Sequence, residues 1–504
     1  MPSPEELFAA ACHHARQAAV LASVDAVLGW DERTMLPPAG GAHRAEQAAA
    51  VAAATHAVRT DPAQGERLEE LAAGPLAAAG PPRQQAAIRL LRRDFDKQAR
   101  LPSRLVEELA RVAVEAQQAW VRAREESSWS LLVPWLERMV MRKREQAACQ
   151  FPGLDAYDSL MDDYEPGARW QAIADRFDRL RVGLVPLVRA CTEARRRPDD
   201  ALLRRSYPIA AQQRFVRAVA ARIGFDFDRG RLDTTDHPFC ATLGPDDVRI
   251  TTRWDEGCLA TALFGVLHEA GHGLYEQGLP RDWYGLPPGA AASLGIHESQ
   301  SRLWENLVGR SRAFWEWCIG PAREAFPAAL GGASAADVHE ALLVVRPSFI
   351  RVEADEVTYN LHVMMRFDLE RAVVHGELRV ADLPAAWNER FARDFGMRPE
   401  RDSDGVLQDI HWSAGLWGYF PTYTLGNIAA AQLMAAADRD LGGLSADFAR
   451  GCFTRLLGWL RERIHAAGRT LESDELVERA TGRPVDETWL LDSLQARYGS
   501  VHGP

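Results

Sequence analysis

Along most of the chain, apolar residues recur at the three- and four-residue spacing of an amphipathic helix. The pattern predicts helices over residues 5–30, 42–59, 84–98, 104–126, 130–150, 168–197, 210–222, 256–277, 293–318, 335–345, 351–375, 383–396, 426–440, 445–466 and 474–482. Pro37-Pro38, Gly80-Pro81-Pro82, Pro166-Gly167 and Pro287-Pro288-Gly289 interrupt it, because proline lacks the backbone donor and glycine loses most entropy in a helix. One segment has a different character. Val248-Arg249-Ile250-Thr251-Thr252-Arg253-Trp254 is β-branched and follows the turn Gly244-Pro245-Asp246-Asp247, which predicts a strand. Asp255 is then the candidate N-cap of the next helix, whose residues 258–267 are almost wholly apolar, and Gly278 is its candidate stop. The expected fold is mainly α, with a minor β element near 247–254.

The 504 residues would admit about three domains of ~150 residues each. No internal repeat or flexible linker divides the pattern, so one large helical body spanning 1–504 is expected instead. A composition of 47% hydrophobic and 26% charged residues excludes wholesale disorder. The net charge of -11 argues against nucleic acid as a partner, and the basic run Arg195-Arg196-Arg197 is offset by Asp199 and Asp200. No uninterrupted apolar run reaches the roughly 18 residues of a membrane span, so no membrane partner is expected. Glu5 and Glu6 stand where a signal peptide would be basic. The seven cysteines (12, 149, 191, 240, 258, 318 and 452) are odd in number, scattered and without a Cys-x-x-Cys pair. That pattern fits a reducing, cytoplasmic location and no thiolate metal site.

The chemistry concentrates in Leu267-His268-Glu269-Ala270-Gly271-His272-Gly273. Histidines four apart on a helix share one face, and two imidazoles so placed suit zinc, with Glu269 as the carboxylate beside a water. Gly271 and Gly273 each cost helix stability on the order of 1 kcal/mol, which is explicable if something approaches the backbone closely. A catalytic zinc site needs a third protein ligand and one open position. Glu298, 26 residues after His272, is the first candidate, with Glu305 and His297 competing. Glu276 lies too near along the same helix to reach the same metal easily.

Further motifs extend this picture: Gly29-Trp30-Asp31-Glu32-Arg33-Thr34-Met35-Leu36-Pro37, the run 157–167 (YDSLMDDYEPG), His237-Pro238-Phe239 and Asp247-x-Arg249-x-Thr251. Gly295-Ile296-His297-Glu298-Ser299-Gln300, Ile350-Arg351-x-x-Ala354-Asp355 and Gly405-x-x-Gln408-Asp409-x-His411-Trp412 follow. With these signatures in this order, the chain resembles the thermostable (Taq-type) carboxypeptidase family of zinc metallopeptidases over nearly its whole length. The resemblance implies a nearly all-helical fold around a deep substrate groove; the Ala-rich N-terminal helices of about 1–100 would either cover it or supply an interface. It also implies a homodimer and one Zn2+ per subunit, with Co2+ able to serve in some members.

On that resemblance His268, His272 and Glu298 are the metal ligands, and Glu269 moves the proton between water and the leaving amine. His411, followed by Tyr419 and Tyr423, is the candidate donor to the oxyanion, with the choice between the tyrosines open. A free substrate carboxylate calls for a planar guanidinium. With 57 of the 59 basic residues being arginine, the signatures single out only two: Arg351 for the carboxylate, and Arg249, which either joins it or pairs with Asp247 to brace the strand. His237 is a candidate for shaping the groove. The expected activity is release of single C-terminal amino acids from peptides with a free C-terminus, with broad specificity. A metallo-oligopeptidase or dipeptidase of the same zinc-helix type is the alternative. A non-enzymatic helical binding protein would have no need of an intact His268, Glu269, His272 and Glu298 set.

Overall fold

A computed structural model describes residues 2–499, so the outermost residues of the expected 1–504 body lie outside those described. Every segment with helical periodicity contains a helix, and the differences lie at ends and breaks. The 293–318 segment is not one helix but Leu294–Arg302, a π-helical stretch Leu303–Gly309, and a new helix Arg312–Ala325. Ser311 restarts it by accepting a hydrogen bond from the Phe314 backbone N–H. The 445–466 segment likewise breaks into Ser445–Phe448 and Thr454–Arg463, around Gly451 at φ 68°. Asp255 is not the cap of the following helix. It accepts from the Gly257 backbone in a local turn, and the helix runs Leu259–Gly278 behind Cys258. Pro62–Ala73, Pro75–Ala79, Ala156–Met161 and Thr488–Leu494 are additional short helices; the first is opened by Asp61, which accepts from Ala63 N–H.

The expected strand is present as β3 (Asp247–Thr252), the centre of a three-stranded sheet with β1 (Gly230–Thr234) and β2 (Cys240–Gly244). β1 pairs with β3 in parallel and β2 pairs with it antiparallel, so that Ile250 lies opposite both Leu232 and Cys240. Val248 and Ile250 are fully buried, whereas the outer strands are mostly half-exposed.

The chain forms two compact units. The first comprises Met1–Gln98, Asp199–Leu342 and Ala429–Val485. Its core surrounds the helix Leu259–Gly278, with Leu263, Val266, Leu267, Ala270 and Leu274 wholly enclosed among Trp304, Phe314 and Trp315. Burial of each such leucine stabilises the fold by roughly 1.5–3 kcal/mol, which locks the axis and rotation of this helix. The second unit comprises Ala99–Pro198, Leu343–Ile428 and Asp486–Pro504. Its central helix, Glu356–His375, is buried on nearly all sides and carries His362, Arg366 and Glu370, as well as Thr358 and Asn360, into the interior. Among the described residues no helix is long and apolar enough to cross a membrane.

Candidate functional site

In the first unit, His268 and His272 leave one face of the helix Leu259–Gly278. Gly271 and Gly273 beside them have distinct causes. A Cβ on Gly271 would lie 2.6 Å from Ser301 Cα and 2.7 Å from the Gln300 carbonyl oxygen, so the helix Leu294–Arg302 packs directly on the glycine backbone. A Cβ on Gly273 would meet the Phe225 ring at 2.5 Å and the Ile250 side chain of β3 at 3.3 Å. Ser293 caps the second helix, accepting from Ile296 N–H at 3.0 Å, and this sets Glu298 in its second turn.

Glu298 Oε2 then lies 3.8 Å from His268 Nε2 and 3.6 Å from His272 Nε2. Among the described residues, this trio forms the group whose donor atoms all fall within 4.8 Å of one another. Two imidazole nitrogens and one carboxylate oxygen are a donor set suited to zinc and similar divalent ions. The charge states fit as well. Burial above all, reinforced by His297, His268 and Arg302, holds His272 well below its ordinary pKa and therefore neutral. Burial opposes ionisation of Glu298, but Arg302 and His268 overcome it and keep the carboxyl below its usual range. Burial also disfavours a charged His268, yet the Glu298 and Glu305 carboxylates outweigh it and raise its pKa, the response of a site that attracts positive charge.

Neither competing third-ligand candidate joins the trio. Glu305, in the π-helical stretch, accepts from His268 Nδ1 at 2.9 Å and is flanked by Arg302 and Arg310. Although burial pushes its pKa up, Arg302 and His268 bring it down to about 2. His297 Nδ1 lies 2.5 Å from His272 Nδ1, and Glu276 meets His297 Nε2 at 2.8 Å. Glu269 is 6% exposed, and burial, against the pull of His268, raises its carboxyl to about 7. Arg249 pairs with Asp247 through Nε and Nη2, at 2.8 Å each, and covers the Trp30 ring at 4.2 Å. His237 is exposed on the connection between β1 and β2.

In the second unit, Arg351 is 6% exposed. Its Nε and Nη2 donate to Asp409 Oδ1 at 3.0 and 2.8 Å, and its Nη1 donates to the Tyr359 hydroxyl at 3.1 Å. Arg366, fully buried, donates to Asp409 Oδ2 at 2.6 Å and to the His362 carbonyl at 2.8 Å. Burial works against the Asp409 carboxylate, but the two guanidinium groups hold it far below its ordinary range. His411 places Nε2 3.2 Å from the Tyr423 hydroxyl and Nδ1 3.9 Å from Asp409. Burial, opposed by Asp409 and aided by both arginines, lowers its pKa to about 4, so the ring is neutral. Tyr419 packs against His411 and Tyr423, with 5.4 Å between ring centroids in each case. Sequence reasoning left Arg366 unassigned. The available signal was one cation inside the apolar run Leu361-His362-Val363-Met364-Met365-Arg366-Phe367.

Residues 10–498 match the family described as Carboxypeptidase Taq (M32) metallopeptidase. Thermostable carboxypeptidase 1 of Thermus thermophilus is 45% identical, over 99% of this chain and 100% of its own length. Carboxypeptidase 1 of Bacillus subtilis is 34% identical over 95% of each. Among solved structures, the M32 carboxypeptidase from Deinococcus radiodurans has a TM-score of 0.95 at 40% identity, covering 99% of this chain and 100% of that one. Metallocarboxypeptidase 1 of Trypanosoma cruzi has a TM-score of 0.92 at 31% identity, covering 98% and 100%. Such matches span both units, and with them the chain belongs to the Carboxypeptidase Taq (M32) family of metallopeptidases and is a metal-dependent carboxypeptidase.

Proposed function

We propose that this carboxypeptidase removes single C-terminal amino acids from peptides with broad specificity, using one zinc ion per subunit held by His268, His272 and Glu298, with cobalt able to replace it. The observation that carries this reading is the approach of one carboxylate oxygen, Glu298 Oε2, to the Nε2 atoms of both histidines. A divalent ion bound there supplies Lewis-acid activation of water and of the scissile carbonyl.

The remaining work falls to side chains. Glu269, buried and with a carboxyl near neutrality, accepts the proton released by the attacking water and returns it to the departing amine. His411, neutral and bonded to Tyr423, acts with Tyr423 or Tyr419 as donor to the oxyanion. Arg351 receives the substrate carboxylate. Arg351 and Arg366 share the single Asp409, so this trio carries one uncompensated positive charge, of the sign that a terminal carboxylate would cancel. The commitment of Arg249 to Asp247 favours bracing of the strand over substrate contact, and His237 shapes the groove. The seven free cysteines support a cytoplasmic setting, and the homodimer follows from the family resemblance alone.

Glu269→Gln tests the central step. The variant should bind zinc as the parent does, while kcat falls by about 10²–10⁴-fold. Turnover near the parent's would remove Glu269 from this role.

A further inference from the structure

We propose that Glu276 and His297 act as a positioning pair that fixes the tautomer and orientation of His272, and so sets how tightly the divalent ion is held; this rests on the metal-centre reading above. A histidine binds a metal only through a nitrogen that carries no proton. His272 turns Nε2 toward Glu298, so its proton must sit on Nδ1. That Nδ1 lies 2.5 Å from His297 Nδ1, and two ring nitrogens bond only if one donates and the other accepts. His272 Nδ1–H therefore donates, His297 Nδ1 accepts, and the His297 proton is left on Nε2. There it donates to Glu276 Oε1 at 2.8 Å. One carboxylate thus dictates the tautomers of two imidazoles in series.

The arrangement differs from that behind the other metal-binding histidine. His268 is oriented directly by a carboxylate, Glu305, at 2.9 Å. The series behind His272 runs from the first metal helix to the second and back. His272 and Glu276 stand one turn apart on Leu259–Gly278, while His297 precedes Glu298 on Leu294–Arg302. It therefore ties the ligands of one helix to those of the other. The side chains of His297 and Glu276 are only 18% and 16% exposed, and the rings of His272 and His297 lie 4.5 Å apart, so there is little room for either ring to flip. Groups that orient a ligating histidine are worth roughly 10–100-fold in metal affinity.

Zinc-loaded parent and variants are mixed with excess chelator, and ion release is followed with a zinc-responsive dye. Melting of the metal-free proteins is recorded in parallel. Glu276→Leu and His297→Phe should release zinc about 10–100-fold faster than the parent. Glu276→Gln, which retains an acceptor oxygen, should remain close to the parent, and none of the metal-free melting temperatures should account for the ranking. Release within twofold of the parent in both Glu276→Leu and His297→Phe would overturn the proposal while leaving the metal centre intact; a parent that holds no zinc would overturn both. If those variants fail to fold, nitrogen NMR of the zinc-loaded parent labelled at histidine decides. His272 protonated at Nδ1 and His297 at Nε2 are expected, and the opposite tautomer at His297 would end the argument.

Discussion

Glu370 is wholly buried in the second unit and accepts a hydrogen bond from the backbone N–H of Gly418, next to Tyr419. Burial chiefly, against the pull of the Gly418 and Trp412 donors, raises its pKa from 4.5 to about 8. A folded value above the unfolded one means that folding favours the protonated carboxyl. The associated stability is complete below pH ~4.5 and is lost as the pH rises through about 8. Glu370→Gln keeps an acceptor and stays neutral. It should therefore melt higher than the parent by roughly 5 °C at pH 9 and hardly differ near pH 4.5, and an equal difference at both would contradict this.

Arg351→Ala belongs to the same scale. It should raise KM for peptides with a free C-terminus by ten-fold or more, since a charged hydrogen bond is worth ~1.5–3 kcal/mol, and leave zinc content unchanged. An unaltered KM would free Arg351 from the carboxylate role. The position of Arg351 was legible from its signature. Its sharing of Asp409 with Arg366 was not, because a lone arginine in an apolar helix does not reveal which loop folds back onto it.

At the scale of elements, Gly271 is where the helix of His268 and His272 touches the helix of Glu298. Gly271→Ala would set a methyl 2.6 Å from Ser301 Cα, against backbone that cannot yield without moving Glu298. The expected cost is about 1–3 kcal/mol, seen as a lower melting temperature together with weaker zinc retention. Parental values for both would show that the contact is dispensable. The close approach was foreseeable from two glycines spent inside a helix, whereas its partner was not.

The π-helical turn Leu303–Gly309 was also hidden, because a single extra residue per turn hardly disturbs apolar periodicity, yet it carries Glu305 to His268. β3 announced itself through buried β-branched residues. β1 (Gly-Arg-Leu-Asp-Thr) and β2 (Cys-Ala-Thr-Leu-Gly) did not, since outer strands with one face half-exposed need few apolar residues.

At the scale of the whole molecule, each of the two units is assembled from three separate stretches of chain. Boundaries of that kind leave no linker composition to read, and the signatures run through both units without marking them. The grouping of His268, His272 and Glu298 was nonetheless legible, because histidine spacing and signature order survive any arrangement of the helices around them. What the metal trio alone does not distinguish is removal of one residue from a chain end and cleavage elsewhere in a peptide. Mass-spectrometric identification of the products from one peptide, unblocked or C-terminally amidated, with and without chelator, tests this most directly. Stepwise loss of single residues from the C-terminus of the unblocked peptide only, abolished by chelator, is expected. Internal cleavage, dipeptide release, or equal cleavage of the amidated peptide would contradict it.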